Sequence, residues 1–231
     1  LLLAVALTVA TLIAGSYLVG AAAGQGITAV RIAGEFRYLS QQALRERVNE
    51  YLRAGFFGLN VAAVRDAVLA LPWVRDASVR RVWPDSLHIA VVERQPAARW
   101  GDDGLLESDG TLFSPEVGGA DGLADLPVLR GPVGSHHRVL KSYREVRQWL
   151  GPLRQSMRWM SMSARGALRV GLGNGTTLVL GSAPTAASVS RFAQTFDALL
   201  AERSPDVEQI DLRYVNGFAV RWKESAVTSE G

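Results

Sequence analysis

Residues 71–96, LPWVRDASVRRVWPDSLHIAVVERQP, restrict the possible folds more than any other stretch of this chain. Pro72 has no N–H and a fixed φ, so any helix running into it stops there. Beyond it Trp73, Ala77 and Val79 fall on a face of period two, with Val74 as an extra apolar neighbour. Trp83-Pro84-Asp85-Ser86 has the composition of a turn. Leu87, Ile89 and Val91 then resume the alternation. The pattern predicts a two-stranded hairpin with one hidden face. Arginines, His88 and Glu93 are expected on or near the other.

The segment before the hairpin supplies what would cover that hidden face. Residues 27–33 alternate as a strand closed by Gly34. Ser40 is placed as an N-cap. Leu44, Val48, Tyr51 and Leu52 share one helical face after it, with Gly55 at the C′ position. Phe56-Phe57-Gly58 makes an apolar bend. Asn60 caps a second helix that buries Val61, Val64, Val68 and Leu71. The predicted order is strand, helix, helix, strand, strand.

Residues 1–23 carry no charge, and the first ionisable side chain is Arg31. As a helix this run spans roughly 35 Å, enough for a bilayer core. Its length exceeds the ~7–15 apolar residues of a signal-peptide core, which favours a transmembrane helix over a cleaved leader. The apolar run also accounts for part of the 48% hydrophobic composition.

After Gln95 short strands and glycine-rich turns take over. Strand signals occur at 97–101, 105–106, 111–113, 126–129, 157–163, 167–172 and 177–180. Asn174-Gly175 is a strong hairpin signal before the last of these. Helical spacing appears over 139–150, with Val139, Tyr143, Val146 and Leu150 on one face. A second helix follows Pro184, with Val189, Phe192 and Phe196 aligned. The expected architecture is α+β: a mostly antiparallel sheet covered by two helices.

Chemistry is thin. There is no cysteine, which removes disulfides, thiolate metal sites and a thiol nucleophile. Net charge is +3, from 25 basic and 22 acidic residues scattered singly, without the basic face of a nucleic-acid binder. His88, His136 and His137 lack a metal-ligand spacing. Asp102, Asp103, Glu107 and Asp109 read as turn acids without an EF-hand pattern. Gly171-x-Gly173-x-Gly175 lies between strands, where a dinucleotide loop would open a helix. The residues suggest neither catalysis, nor a metal, nor a cofactor.

The end of the chain is more informative. Residues 210–215 and 218–222 form a hairpin about Asn216-Gly217. A two-residue turn would set Arg213 opposite Val220 and Asp211 opposite Trp222. Arg213 would then lie diagonal to Trp222, within cation–π reach, with Tyr214 on the other face. The strand 218–222 is expected at a sheet edge, open to strand addition by a partner. The hairpin alone leaves open whether Tyr214 and Trp222 serve a partner or pack in the core.

Several of these segments together resemble the FtsQ/DivIB family of bacterial cell-division proteins. Val30-Arg31-Ile32-Ala33-Gly34, Gly55-Phe56-Phe57, Leu71-Pro72-Trp73-Val74, Arg80-Arg81-Val82-Trp83-Pro84-Asp85 and Val92-Glu93-Arg94-Gln95-Pro96 carry the likeness to its POTRA domain. Leu126-Pro127-Val128-Leu129, Asn174-Gly175, Leu180-Gly181, Arg191-Phe192, Asp211-Leu212-Arg213-Tyr214 and Val220-Arg221-Trp222 carry the likeness to its β-domain. The resemblance implies a transmembrane helix at 1–23, a POTRA domain at 24–95, a β-domain at 96–222 and a polar tail at 223–231. It implies a non-enzymatic scaffold of the inner membrane, exposed to the periplasm and enriched at the division septum. FtsB and FtsL are the implied partners. Arg165, Arg213, Tyr214, Gly217, Phe218, Val220 and Trp222 are the implied partner-binding residues. The rival reading from a POTRA domain alone is a periplasmic chaperone of outer-membrane assembly or secretion. Such chains continue into a membrane barrel.

Overall fold

The computed structural model describes residues 26–115, 122–199, 204–214 and 217–223, with the side chains of 154, 155, 197–199 and 204 excepted. The chain divides into two compact units between Arg94 and Gln95. The expected membrane helix at 1–23 and most of the polar tail lie outside the described residues. Among the described residues no helix is long and apolar enough to cross a membrane.

The first unit runs β1 (Ala29–Ala33), α1 (Gln41–Leu52), a short α2 (Gly55–Gly58), α3 (Val61–Leu69), β2 (Val74–Val82) and β3 (Ser86–Glu93). Its sheet has the order β1-β3-β2, with β1 parallel and β2 antiparallel to β3. Both predicted caps are present. The Ser40 hydroxyl accepts from the N–H groups of Gln42 and Ala43, and Asn60 Oδ1 accepts from Ala63 N at 3.1 Å. Gly55, at φ +73°, opens α2 instead of closing α1, whose C-cap is Arg53. Leu44, Val48, Val64 and Val68 from the helices meet Leu87 and Ile89 of β3 in a core where all six are fully buried.

Two expectations for the hairpin need correction. Val74 and Ala77 are the buried residues at the start of β2, while Trp73 is only half-buried and stacks on Tyr38 at 4.5 Å between centroids. The cause is a β-bulge: Val74 pairs with Glu93 but Asp76 pairs with Val92, so the alternation shifts by one at Arg75. Glu93 faces inward. Its carboxylate accepts hydrogen bonds from the backbone N–H groups of Arg37 and Tyr38, both at 2.7 Å, and of Leu39. An acid at a strand end thus ties down the loop between β1 and α1. The turn itself is Trp83-Pro84-Asp85, with a cis Trp83–Pro84 bond and Ser86 already in β3.

The second unit contains β4 (Pro96–Trp100), β5 (Gly104–Glu107), β6 (Leu112–Phe113), β7 (Val128–Arg130), α4 (His136–Trp149), a 3-10 turn (Gly151–Ser156), β8 (Met157–Met162), β9 (Leu168–Leu172), β10 (Thr177–Gly181), α5 (Ala186–Leu199), β11 (Val207–Asp211) and β12 (Ala219–Trp222). These strands form one sheet of order β12-β11-β10-β9-β8-β7-β4-β5-β6. Antiparallel pairs predominate, but β4–β7, β7–β8 and β10–β11 are parallel. The last two follow from the helices: α4 carries the chain from β7 to β8, and α5 from β10 to β11. Val139, Val146, Leu150, Val189 and Phe192 on the helices bury against Met160, Val170, Leu178 and Ile210 on the sheet.

Polar residues here also depart from expectation. His136 and His137 form the first turn of α4, which begins three residues before the helical spacing at 139–150. Glu107 is 2% exposed and belongs to β5, unlike a turn acid. Asp102 and Asp109 do serve turns: Asp102 pairs with Arg130 at 2.7 Å, and Asp109 accepts from Thr111 N at 2.9 Å. Among the described residues no group of three or more His, Cys, Asp or Glu side chains could hold a metal ion.

Candidate functional site

Three connections converge at one end of the second sheet. β8 ends there at Met162 and β9 begins at Leu168, while β10 ends at Gly181 opposite Leu168. β11 ends beside it at Asp211, and β12 starts opposite Asp211 at Ala219. The loops 163–167 and 182–185 and residues 212–214 therefore share one rim.

Arg165 lies exposed in the tight β8–β9 turn. Ser163 N donates to Ala167 O and Gly166 N to Ser163 O, both at 2.9 Å, and Gly166 takes φ +79°, which an L side chain rarely adopts. Arg165 borders a cleft of about 430 Å³ with Arg138, Glu145 and Trp149. The Ser182-Ala183-Pro184 loop closes that cleft and also bounds a second, of about 510 Å³, which Arg213 and Tyr214 line. The structure thus brings Arg165, Arg213 and Tyr214 to one continuous, scalloped surface.

Arg213 is held by the residue two before it. Asp211 Oδ1 accepts from Arg213 N at 3.0 Å and from Nε at 2.9 Å, and Oδ2 lies 2.5 Å from Nη2. One carboxylate therefore turns the chain out of β11 and fixes a guanidinium. That guanidinium holds Asp211 below the usual carboxylate range, and Asp211 in turn raises Arg213. The Arg213 side chain crosses Gly181, where a Cβ would stand 3.1 Å from Arg213 Cγ. Tyr214 follows, 57% exposed.

The final hairpin has a different register from the one expected. Val220 faces Ile210, where Arg213 was predicted, and Trp222 faces Val207, where Asp211 was predicted. The ladder is slipped by three residues at Val220 and, past a β-bulge, by four at Trp222, because Leu212, Arg213 and Tyr214 leave the ladder and Ala219 pairs with Asp211. Val215 and Asn216, the latter the first residue of that expected turn, lie outside the described residues. Arg213 consequently engages Asp211 and not Trp222. Trp222 sits at the opposite end of β12 from the rim.

β12 is the last strand in the sheet order, so its outer side has no neighbouring strand among the described residues. Phe218, Val220 and Trp222 face the core layer, half-buried, while Ala219 and Arg221 point away from it. Phe218 meets Phe192 of α5 edge-on, with ring centroids 5.5 Å apart. These three side chains are half-covered for one reason: the layer they extend stops at an edge. Gly217 has open space around its Cα.

Sequence reasoning missed Asp211 as the support of Arg213 and Ser182–Pro184 as the wall joining two clefts. The Asp-x-Arg spacing, with both side chains on one side of an extended segment, was a readable signal for the first. Nothing local announced the second, which depends on β10 ending beside β9 and β11.

Comparison with known proteins agrees with this architecture. Residues 26–94 match the model of a POTRA domain of the FtsQ type. Residues 98–213 match the model of the C-terminal region of cell division protein FtsQ/DivIB. A POTRA module followed by this β-rich module defines a class of cell-division protein. Relatives described as cell division protein FtsQ extend over most of the chain. That of Xanthomonas campestris is 38% identical over 83% of this chain and 68% of its own. That of Coxiella burnetii is 32% identical over 84% and 79%. That of Burkholderia pseudomallei is 35% identical over 83% and 78%. The chain belongs to the FtsQ/DivIB family of cell-division proteins, a family of scaffolds and not a known family of enzymes.

Proposed function

We propose that this protein is a bitopic inner-membrane scaffold of the bacterial division machinery, anchored by residues 1–23 with the rest in the periplasm. It links early and late division proteins at the septum through periplasmic contacts with FtsB and FtsL, and performs no turnover. The observation that carries this reading is the edge strand β12, with exposed Arg213 and Tyr214 beside one end. An edge offers unpaired N–H and C=O groups to an incoming strand. Alternate apolar side chains of that strand would finish covering Phe218, Val220 and Trp222. Arg165 and Arg213, on the rim, suit acidic side chains flanking the added strand. Tyr, Trp and Arg are also the residue types that dominate interface hot spots. The outer-membrane chaperone reading has only the POTRA domain in its favour.

The test is capture of FtsB by the full chain. Truncation of Trp222 to alanine and conversion of Arg213 to alanine should each weaken capture at least tenfold, in line with the ~1.4 kcal/mol per decade that separates a hot spot from a bystander. Arg213→Glu is less clean, because it sets a second carboxylate against Asp211. Undiminished capture by both alanine variants removes the site assignment. Uniform membrane localisation of the tagged protein in dividing cells removes the divisome reading itself.

A further inference from the structure

The first unit exposes four large hydrophobic residues among its described residues, and three of them belong to one place. Trp83 is 77% exposed, Phe57 52% and Val82 39%, while Val92 lies towards the far end of β3. Arg81 ties Phe57 to this end of β2. It sits two residues before Trp83, and its Nη1 donates to the carbonyls of Phe56 and Phe57 at 3.1 and 3.2 Å. That contact brings α2 against the end of β2, so Phe57 stands beside the hairpin tip. A tryptophan this exposed adds little to the core beneath it. A cluster of solvent-facing aromatic and aliphatic groups instead marks a contact surface.

The fold also places this tip with respect to the start of the unit. Thr28 N donates to Asp85 O at 3.0 Å, and the Thr28 hydroxyl bonds the Asp85 carboxylate. Ala29 then pairs with Ser86 to begin the β1–β3 ladder. The tip is therefore pinned to the residue from which β1 departs. Upstream of Thr28 the uncharged run 1–23 ends only five residues away. Five residues reach at most about 17 Å, and Asp85 lies two residues from Trp83. If the run spans a bilayer, Trp83 is held close to the lipid headgroups.

The chemistry of the tip fits that neighbour. Indole rings prefer the boundary between hydrocarbon and water, where the ring is sheltered and its N–H stays wet. Arg80 and Arg81 precede Trp83, both exposed, and anionic headgroups attract such cations. The single acid of the turn, Asp85, is occupied by the hydroxyls of Thr28 and Ser86.

We propose that Trp83, Val82 and Phe57 form a foot that rests in the headgroup layer of the membrane and limits the tilt of the first unit. The proposal rests on the anchored reading given above, and its occupant is the lipid surface. Because the chain has no cysteine, single labels report without background. Nitroxide is placed at Phe57→Cys or, as the reference, at Val92→Cys in the full chain. The chain is reconstituted in phosphatidylethanolamine–phosphatidylglycerol vesicles. The label at 57 should collide with oxygen, relative to a water-soluble nickel chelate, several-fold more than the label at 92. Adding Trp83→Ser to the Phe57→Cys chain should reduce that ratio towards the reference. Equal ratios at 57 and 92 in vesicle-bound protein overturn the foot and leave the anchor standing. Protection at 57 from both quenchers, unchanged in detergent micelles, means that a protein surface or a second copy covers the tip, and also overturns it. A chain that fails to float with the vesicles removes the anchor and the foot together.

Discussion

The guanidinium of Arg213 is clamped by the carboxylate of Asp211, two residues earlier on the same chain, with Nη2 and Oδ2 2.5 Å apart. Asp211 is nearly covered, and Arg213 is largely open to solvent. The pair therefore presents one face of a fixed cation instead of a freely swinging arginine. Such a cation would lose less side-chain entropy on meeting the acidic partner proposed above.

The pH dependence of this pair follows from the direction of the Asp211 shift. Arg213 depresses the folded-state value below the ordinary 3.8. The stabilisation is thus complete above the unfolded value and is lost as pH falls through the folded one. Wild type should exceed Asp211→Asn in urea midpoint at neutral pH, and the gap should close only below the ordinary aspartate value. A gap that closes between neutrality and about pH 5, well above that value, would contradict the assignment.

Glu93 is the second prediction. It is 9% exposed and accepts three backbone N–H groups, so Glu93→Ala leaves those donors without their acceptor. The expected loss is about 2–4 kcal/mol, the range for charge-assisted bonds broken at a partly dry site. Hydrogen exchange should accelerate first at Arg37, Tyr38 and Leu39, ahead of the helix amides.

Gly171 carries a third. The indole of Trp159 lies over it from the paired position on β8, and a Cβ there would stand 1.9 Å from Nε1. Gly171→Ala must displace the ring, at a cost of about 1–3 kcal/mol. Trp159→Ala with Gly171→Ala should recover part of that loss, since the clash vanishes with the ring. A purely additive double mutant would mean that the ring moves aside freely.

A fourth separates packing from contact. Phe192 is 1% exposed and touches both Phe196 and Phe218, each at 5.5 Å between centroids. Phe192→Ala should destabilise the second unit by about 3–5 kcal/mol. Phe192→Leu should cost much less; if FtsB adds to β12 as proposed, it should still loosen that strand and speed release of the partner without altering any rim residue. The off-rate of FtsB from the two variants decides it.

The sequence was most legible where chemistry is local. Ser40 and Asn60 act on amides two or three residues away, so both caps could be read directly, as could the helical stripes of Leu44 to Val48 and Val139 to Leu150. Periodicity was less secure wherever the chain departs from ideal pleating. The bulge at Arg75 moved burial from Trp73 to Val74, and no residue type announces a bulge there. Glu93 was misplaced because its partners lie over fifty residues upstream. The end of the chain misled for a related reason. Asn-Gly is so strong a turn signal that it implied a two-residue hairpin, whereas the Asp211–Arg213 clamp and the buried Leu212 take those residues out of the ladder. Arg165, Arg213 and Tyr214, expected as partner-binding residues, lie together at the rim, while Trp222, expected diagonal to Arg213, lies at the other end of β12.

The slipped register turns β12 into a ruler. Trp222 pairs with Val207, and Arg213 and Tyr214 lie just beyond Asp211, so the two ends of the candidate surface are four residue steps apart along β11, roughly 13 Å. A ligand that touches only the arginine end leaves the tryptophan end wet, and one centred on Trp222 leaves the guanidinium unanswered. Only an extended segment of at least five or so residues, with acids at one end and an apolar group at the other, satisfies both. Length and polarity along the strand axis, more than any single pocket, would set which chains are accepted and which way round they run.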